Sequence, residues 1–326
     1  MYSSTCNALS GAHTDMAKKE AKGKRALPPF TLELHETLLK DRLRTRSYWK
    51  GIENSVRPSD VIVDIGCGSG VLTFFAAIKG CRKIYAVDDS AIIDCAEETA
   101  RRNNLHHNIE FVKKDILQFK PQEKIDLLIH EQIGSLIWDE DLLGKVTYIR
   151  DNFLKKNGRI LPAEIDLYFA PTNYRSRFEE SMSFWSRKQY GIDFSNLRRE
   201  LLFQNFKSAM YPAKISLPDK KTFLCKERLV HTVDLRKATR IPGRIAAEFQ
   251  LKRNSRLTGI CAFFRVRFDE NTSFSTGPRK NNTHWGQIFL PCVEETRLRQ
   301  DSILNFTLFP EANGSNWKSK FDIQVR

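Results

Sequence analysis

Val61-Ile62-Val63 is a short apolar run that stops at Asp64-Ile65-Gly66-Cys67-Gly68-Ser69-Gly70, and helical spacing follows from Val71 to Ile78. This strand ending in glycines ahead of a helix constrains the chain more than any other stretch. Glycines at such a junction let the backbone turn tightly and approach a ligand closely. The alternation continues. Lys83–Val87 reads as a second strand and Ile92–Asn103 as a helix; Ile109–Val112 and Ile125–Ile129 read as strands, Asp141–Leu154 as a helix, and Arg159–Leu161 as a strand before Pro162. Strands alternating with helices predict an α/β fold with a doubly wound, Rossmann-like parallel sheet.

After Pro162 the pattern changes to short alternating stretches at Ile165–Phe169, Ile245–Leu251, Ile260–Phe268, Ile288–Leu290 and Ile303–Leu308. These predict an antiparallel sandwich or barrel. Phe178 to about Leu201 is helix-like, with Phe184, Trp185 and Tyr190, and fits an inserted arm. At the other end, Met1 to about Pro29 reads as a disordered tail with a basic run through Lys18, Lys19, Lys22, Lys24 and Arg25. The segment Phe30–Trp49 has helical apolar spacing at Leu34, Leu38, Leu39 and Leu43. The expected division is therefore a tail over 1–29, a nucleotide domain over 30–161, and a β domain over 162–326 with its arm at about 178–225.

Composition narrows the function classes. The 326 residues are 41% hydrophobic and 28% charged, an ordinary globular balance. No run of 18 or more apolar residues suggests a membrane span, and no apolar secretory core opens the chain, so a cytoplasmic or nuclear protein is expected. The seven cysteines are scattered, odd in number and without a C-x-x-C pair, which predicts neither a disulfide framework nor a zinc site. The net charge of +14 would attract nucleic acid, making RNA contact an expectation, although no RNA-reading motif accompanies it.

Two acids reinforce the glycine loop. Asp88 ends the second strand, where a carboxylate can accept from both ribose hydroxyls. Asp115 follows the third strand, where it would meet an adenine. Residue 71 is Val, so the G-x-G-x-x-G of dinucleotide enzymes is incomplete, and an acid just ahead of the first glycine is the habit of S-adenosylmethionine binders. Asp64 would accept from that cofactor's ammonium or order the loop, and Gly66 and Gly68 would let its backbone approach.

After the fourth strand comes His130-Glu131-Gln132-Ile133-Gly134-Ser135-Leu136-Ile137-Trp138-Asp139-Glu140. Strand ends in an open parallel sheet face the ligand crevice, which puts Glu131 at the site. A turn at Gly134 would bring Glu140 beside it. Paired carboxylates suit a guanidinium, which is planar, permanently charged and rich in N–H donors. They would polarise it, leaving the far nitrogen richer in electrons. They would also offset repulsion from a cationic methyl donor, about 4 kcal/mol for unit charges about 4 Å apart. Alternatively, Glu140 simply opens the next helix, where an acid is favourable.

Taken together, these residues resemble the protein arginine methyltransferase family, from about His35 to the C-terminus. Glu131 and Glu140 match its double-glutamate loop, and Thr283-His284-Trp285 matches its Thr-His-Trp loop. His35-Glu36-Thr37-Leu38-Leu39-Lys40-Asp41-Arg42-Leu43-Arg44-Thr45 is similar to its cofactor-covering segment. The resemblance implies that Arg44 pairs with the carboxylate of S-adenosylmethionine and that Asp41 pairs with His284 as a proton route. It implies that Trp285 walls the arginine channel, that S-adenosylhomocysteine is the product, and that no metal takes part. It implies arginine-containing protein substrates such as histones or RNA-binding proteins. It also implies a β-barrel after Pro162, and a dimerisation arm around Gly191–Ser195 joining identical or related subunits.

The chain departs from the family where a Tyr-Phe-x-x-Tyr helix is replaced by Arg25-Ala26-Leu27-Pro28-Pro29-Phe30. It departs again at Asp88, Leu117 and Leu142, which stand for the usual glutamate, glutamate and methionine. With Leu117 at the adenine position, the resemblance implies that Ile116 shares the adenine contact with Asp115. Two other readings stay open: a catalytically weak or inactive member that activates a catalytic partner, and a methyltransferase acting on RNA or a small molecule.

Overall fold

α1 (Pro29–Lys40) and α2 (Arg42–Ser55) open the described part of the computed structural model, which comprises residues 29–137, 140–174, 180, 183–198, 200, 213–311 and 318–325. The tail expected before Pro29 lies outside these residues. Pro29 occupies the first turn of α1, where a missing N–H costs nothing. The continuous helix expected over Phe30–Trp49 is broken at Asp41. Its backbone leaves the helical region (φ −72°, ψ 84°) and its side chain accepts the Arg44 N–H at 3.0 Å, capping α2. A carboxylate capping the next helix competes with continuation of the previous one.

β1 (Val61–Ile65) is buried along its whole length, as a strand covered on both faces must be. α3 (Val71–Lys79), β2 (Lys83–Asp88), α4 (Ile92–Arg102), β3 (Ile109–Lys113), β4 (Ile125–His130), α5 (Leu142–Phe153) and β5 (Leu154–Leu161) follow. The five strands make one parallel sheet in the order β3-β2-β1-β4-β5, the fold class expected from the alternation. Chain direction across the sheet reverses between β1 and β4, so their carboxyl ends flank an open crevice. Ile65 pairs with His130 in that register, so Gly66 and Glu131 leave the sheet as neighbours. α5 begins one residue later than expected, because Asp141 takes a left-handed conformation (φ 52°) ahead of it.

The second half is antiparallel. β6 (Glu164–Thr172), β7 (Ala213–Ile215), β8 (Arg228–Asp234), β9 (Ile245–Gln250), β10 (Ser255–Arg267), β11 (Ser273–Ser275), β12 (Gln287–Leu298), β13 (Ile303–Glu311) and β14 (Lys318–Val325) form two sheets. One runs β7-β12-β10-β6-β8, with β11 on β10, and the other runs β14-β13-β9. The stretch expected to be one helix over Phe178–Leu201 is helical at 180, 183–185, 196–198 and 200 among the described residues, and is corrected between them. Tyr190 and Gly191 take positive φ (53° and 83°), and Gln189 bridges Ile192, so the chain turns back on itself there. The Phe184–Trp185 and Trp185–Phe194 ring contacts pack this turn. Residues 201–212 of the expected arm lie outside the described residues, and its end at about 213–225 contains β7, which joins the β12 edge of the larger antiparallel sheet. No described helix is long and apolar enough to cross a membrane.

One apolar core runs through both halves. It joins Tyr48 and Ile52 of α2, Val61 to Val63 of β1 and Leu127 to Ile129 of β4 with Phe169, Phe264 and Leu304. At the seam, Phe268 meets the Tyr48 ring edge-on at 4.8 Å. Gly51 makes room for this contact, since a Cβ there would stand 2.6 Å from the Phe268 ring.

Candidate active site

Gly66, Gly68 and Gly70 all take positive φ (65°, 54° and 86°) as the chain leaves β1. At Gly68 an added Cβ would stand 2.6 Å from His35 Cε1, so α1 lies directly over the loop, an approach open only to glycine. The Gly66 and Cys67 N–H groups donate to the Val87 carbonyl at 2.8 and 3.1 Å. Asp88 accepts the Gly68 N–H through Oδ2 at 2.8 Å and the Ser90 N–H through Oδ1 at 2.9 Å. Asp115 accepts the Leu117 N–H at 2.9 Å, and Ile116 beside it is buried. Gly66, Asp88, Asp115 and Ile116 line one cleft with Gln132 and Lys145. The donor set fits a nucleoside-bearing group: Cβ-free backbone for close passage, a carboxylate for hydroxyls, and an apolar side chain against a base.

Asp64 lies under the loop, 1% exposed, and accepts the Thr73 hydroxyl of α3 at 2.6 Å. This bond ties β1 to α3, the two elements that the glycine loop joins. Burial raises its carboxyl to about 7; the Thr73 bond opposes the shift and the charge of Asp88 adds to it. The neighbouring His130, fully buried with its Nε2 2.9 Å from the Pro162 carbonyl, is pushed by burial down to about 4.

The two groups act oppositely on stability. Folded Asp64 holds its proton above the unfolded value, so its contribution is fully present at low pH and is lost as pH rises through 7. Folded His130 stays neutral, so its contribution is present above the unfolded value and is lost as pH falls towards 4. Asp64→Asn should therefore gain stability over the wild type by roughly 3–4 kcal/mol between pH 4 and 7.5. Urea unfolding of both proteins across that range checks this, and a pH-independent difference would refute the assignment.

Arg44 is 3% exposed and points from α2 to the crevice, where its Nε donates to Glu131 Oε1 at 2.8 Å. Burial disfavours the guanidinium charge, but Glu131 outweighs it and holds the Arg44 pKa above its usual value. The Tyr48 hydroxyl donates to the His130 carbonyl at 3.0 Å and anchors α2 against the end of β4.

Asp41 carries a second pair. Its Oδ2 accepts the His284 backbone N–H at 2.8 Å and lies 2.9 Å from His284 Nδ1. Burial pushes the Asp41 carboxyl up, but bonds from His284 and Arg44 outweigh this and leave it below the usual range. The His284 ring lies 3.9 Å from that of Trp285, which is itself buried against Phe264 and Phe274. Glu131, Arg44, Asp41, His284 and Trp285 thus form a continuous chain of contacts.

Glu140 is exposed just ahead of α5. Trp138 and Asp139 lie outside the described residues, so the expected fold-back onto Glu131 rests on a loop that is described only in part. Lys145 of α5 ties the ends of this loop together, donating to Gln132 Oε1 at 2.9 Å and to the Glu140 carbonyl at 3.0 Å.

Three contributors escaped the sequence reading: His35 over Gly68, Tyr48 on the His130 carbonyl, and Lys145 across the loop. Burial holds the His35 imidazole below its usual range, with Asp88 and Glu131 opposing and Arg44 adding to the shift. Its signal was present nine positions before Arg44. A single helical wheel conceals it, because the break at Asp41 changes the direction of the face.

A family model described as the arginine methyltransferase oligomerization subdomain matches residues 164–326, and one described as ribosomal protein L11 methyltransferase (PrmA) matches 44–139. Protein arginine N-methyltransferase 1 of Dictyostelium discoideum is 30% identical over 283 residues, 84% of this chain and 80% of that protein. Protein arginine N-methyltransferase 6 of Danio rerio is 31% identical over 296 residues, 86% of this chain and 83% of that protein. The Trypanosoma brucei PRMT1 enzyme-prozyme heterotetrameric complex with AdoHcy superposes with a TM-score of 0.77 at 21% identity, covering 90% of this chain and 93% of that one. Arabidopsis thaliana protein arginine methyltransferase 10 gives 0.78 at 22% identity with the same coverage, and at these identities both bear on the fold alone. With sequence likeness running through both halves, the chain belongs to the protein arginine N-methyltransferase family.

Proposed function

We propose that this chain is a catalytic member of the family, moving a methyl group from S-adenosylmethionine to a guanidinium nitrogen of protein arginine. The observation that carries this reading is the Asp41–His284 pair, joined through Arg44 to Glu131. When bound, S-adenosylmethionine supplies an electrophilic methyl carbon. Gly66, Gly68, Asp88, Asp115 and Ile116 would hold its nucleoside, Arg44 its carboxylate, and Asp64 the loop beneath.

Glu131 already binds one guanidinium through Oε1, which supports its suitability for a second. Its Oε2 and the Glu140 carboxylate are the acceptors offered to the substrate, with Trp285 backing the channel. Asp41 is an acceptor towards His284, which assigns the ring proton to Nδ1 and leaves the Nε2 lone pair to take the proton released as the nitrogen gains carbon. Rate enhancement would come mainly from positioning and from the carboxylate field.

The same reading divides the chain at Pro162 into a nucleotide domain and a β-barrel, and places the protein in cytoplasm or nucleus. The match to an oligomerization subdomain supports assembly of two subunits, identical or related. The rival reading, an inactive subunit that activates a partner, is favoured by the lack of tyrosines at 25–30 and opposed by the assembled acid–histidine pair.

Purified chain incubated alone with the methyl donor and an arginine-glycine-rich protein should yield methylarginine by mass spectrometry. No product alone, with stimulation of a catalytic relative when mixed, would establish the rival.

A further inference from the structure

A second groove shares one wall with this site. Asp41, which holds His284, also lines a surface channel between α2 and the segment from β11 to the Thr283–Trp285 loop. Arg42, Arg46 and Lys50 line the channel from α2, and Arg279 lines it from the other side. All four are exposed, and none makes an ion pair among the described residues. Asp41 is the one acid in the lining, and it is engaged by His284.

We propose that this channel binds an acidic segment of the substrate protein flanking the target arginine, an inference that rests on the methyltransferase reading above and extends it to substrate choice. Three arguments select this occupant. The channel is lined by Asp41 and by Asn282, next to the Thr283–Trp285 loop, so it lies within reach of a polypeptide that presents arginine at His284. The α2 cations recur every four residues, about 6 Å along the helix, and alternate side chains of an extended peptide recur at nearly the same distance. Single-stranded nucleic acid is usually held by aromatic platforms beside basic residues, and no aromatic side chain lines this channel. Exposed polar groups such as Asn281 are left to bond peptide amides.

The test compares two peptides with the same central arginine, one with Asp or Glu at alternate flanking positions and one with Ser and Gly. The acidic peptide should show about a tenfold lower KM at unchanged kcat, from several weak exposed pairs acting together, and the advantage should vanish in high salt. Arg46→Glu/Lys50→Glu should erase the preference while methylating the neutral peptide at the wild-type rate, which also shows that it folds. Equal KM values on the wild-type enzyme would overturn the proposal. So would anisotropy in which a single-stranded RNA binds, loses binding in the double variant, and the acidic peptide does not bind. If neither peptide is methylated, the methyltransferase reading is what fails. Anisotropy of the labelled acidic peptide then decides the channel separately: binding that is lost in the variant supports it, and no binding refutes it.

Discussion

Glu131→Gln is expected to lower methyl transfer at least about a hundredfold, the order seen when one stabilising group is removed from a preorganised polar site. Glutamine keeps the shape of the side chain and can still accept from Arg44 Nε, so geometry is nearly preserved while the negative charge is lost. On the proposed reading, that charge has two tasks: opposing the positive charge of the methyl donor and polarising the substrate guanidinium. Losing it also leaves Arg44, 4% exposed at its side chain, as an uncompensated buried cation. A lowered Tm is therefore expected as well, which would confuse a purely kinetic reading. Arg44→Gln/Glu131→Gln separates the effects, since removing both charges should recover most of the stability and none of the activity. Single-turnover rates with saturating donor and substrate, alongside thermal unfolding, supply the comparison. A Glu131→Gln rate within tenfold of wild type would remove this carboxylate from the reaction.

Gly68→Val should abolish cofactor binding to within the detection of calorimetry, a loss of more than about a hundredfold in affinity. Valine at φ 54° is strained by roughly 1–3 kcal/mol, and its branched Cβ falls on the His35 ring. Turning the His35 ring aside relieves the contact but not the backbone strain, and a loop flip that relieves the strain breaks the Gly68 N–H bond that aims Asp88. The effect should be on binding more than on global stability, because α1 packs loosely and presents Leu32, Leu34 and Leu39 to solvent. Titration with S-adenosylhomocysteine and unfolding in its absence check the two halves of this statement. Undiminished affinity would mean that the cofactor lies elsewhere.

Much of the nucleotide half was legible because local pattern and final structure agree there. β1 is apolar on both faces, and the glycines that follow need the conformations only glycine adopts freely. The acids at 64, 88 and 115 were legible because strand ends in this topology have one place to point. Less legible were features decided by residues far apart in the chain. Asp41 breaks a helix that its own neighbours would continue, and its partner His284 lies 243 residues away. β7 and β11 are three residues each, and β8 is partly exposed along most of its length, so neither length nor alternation marks them. The aromatic spacing around Trp185 does mark helical turns, but it runs on past Tyr190 and Gly191, which reverse the chain.

The bond from Asp41 to His284 crosses the seam at which Phe268 settles over Gly51. Severing the polypeptide after Leu161 would consequently divide a single chemical device between two pieces. On the proposed reading, one piece would retain the nucleoside cleft without its base, and the other a histidine with nothing to fix its tautomer. Each would bare an apolar flank that the intact chain conceals. On that reading, docking of the halves is the condition for turnover, and any loosening at the interface should register as lost activity before it registers as lost structure.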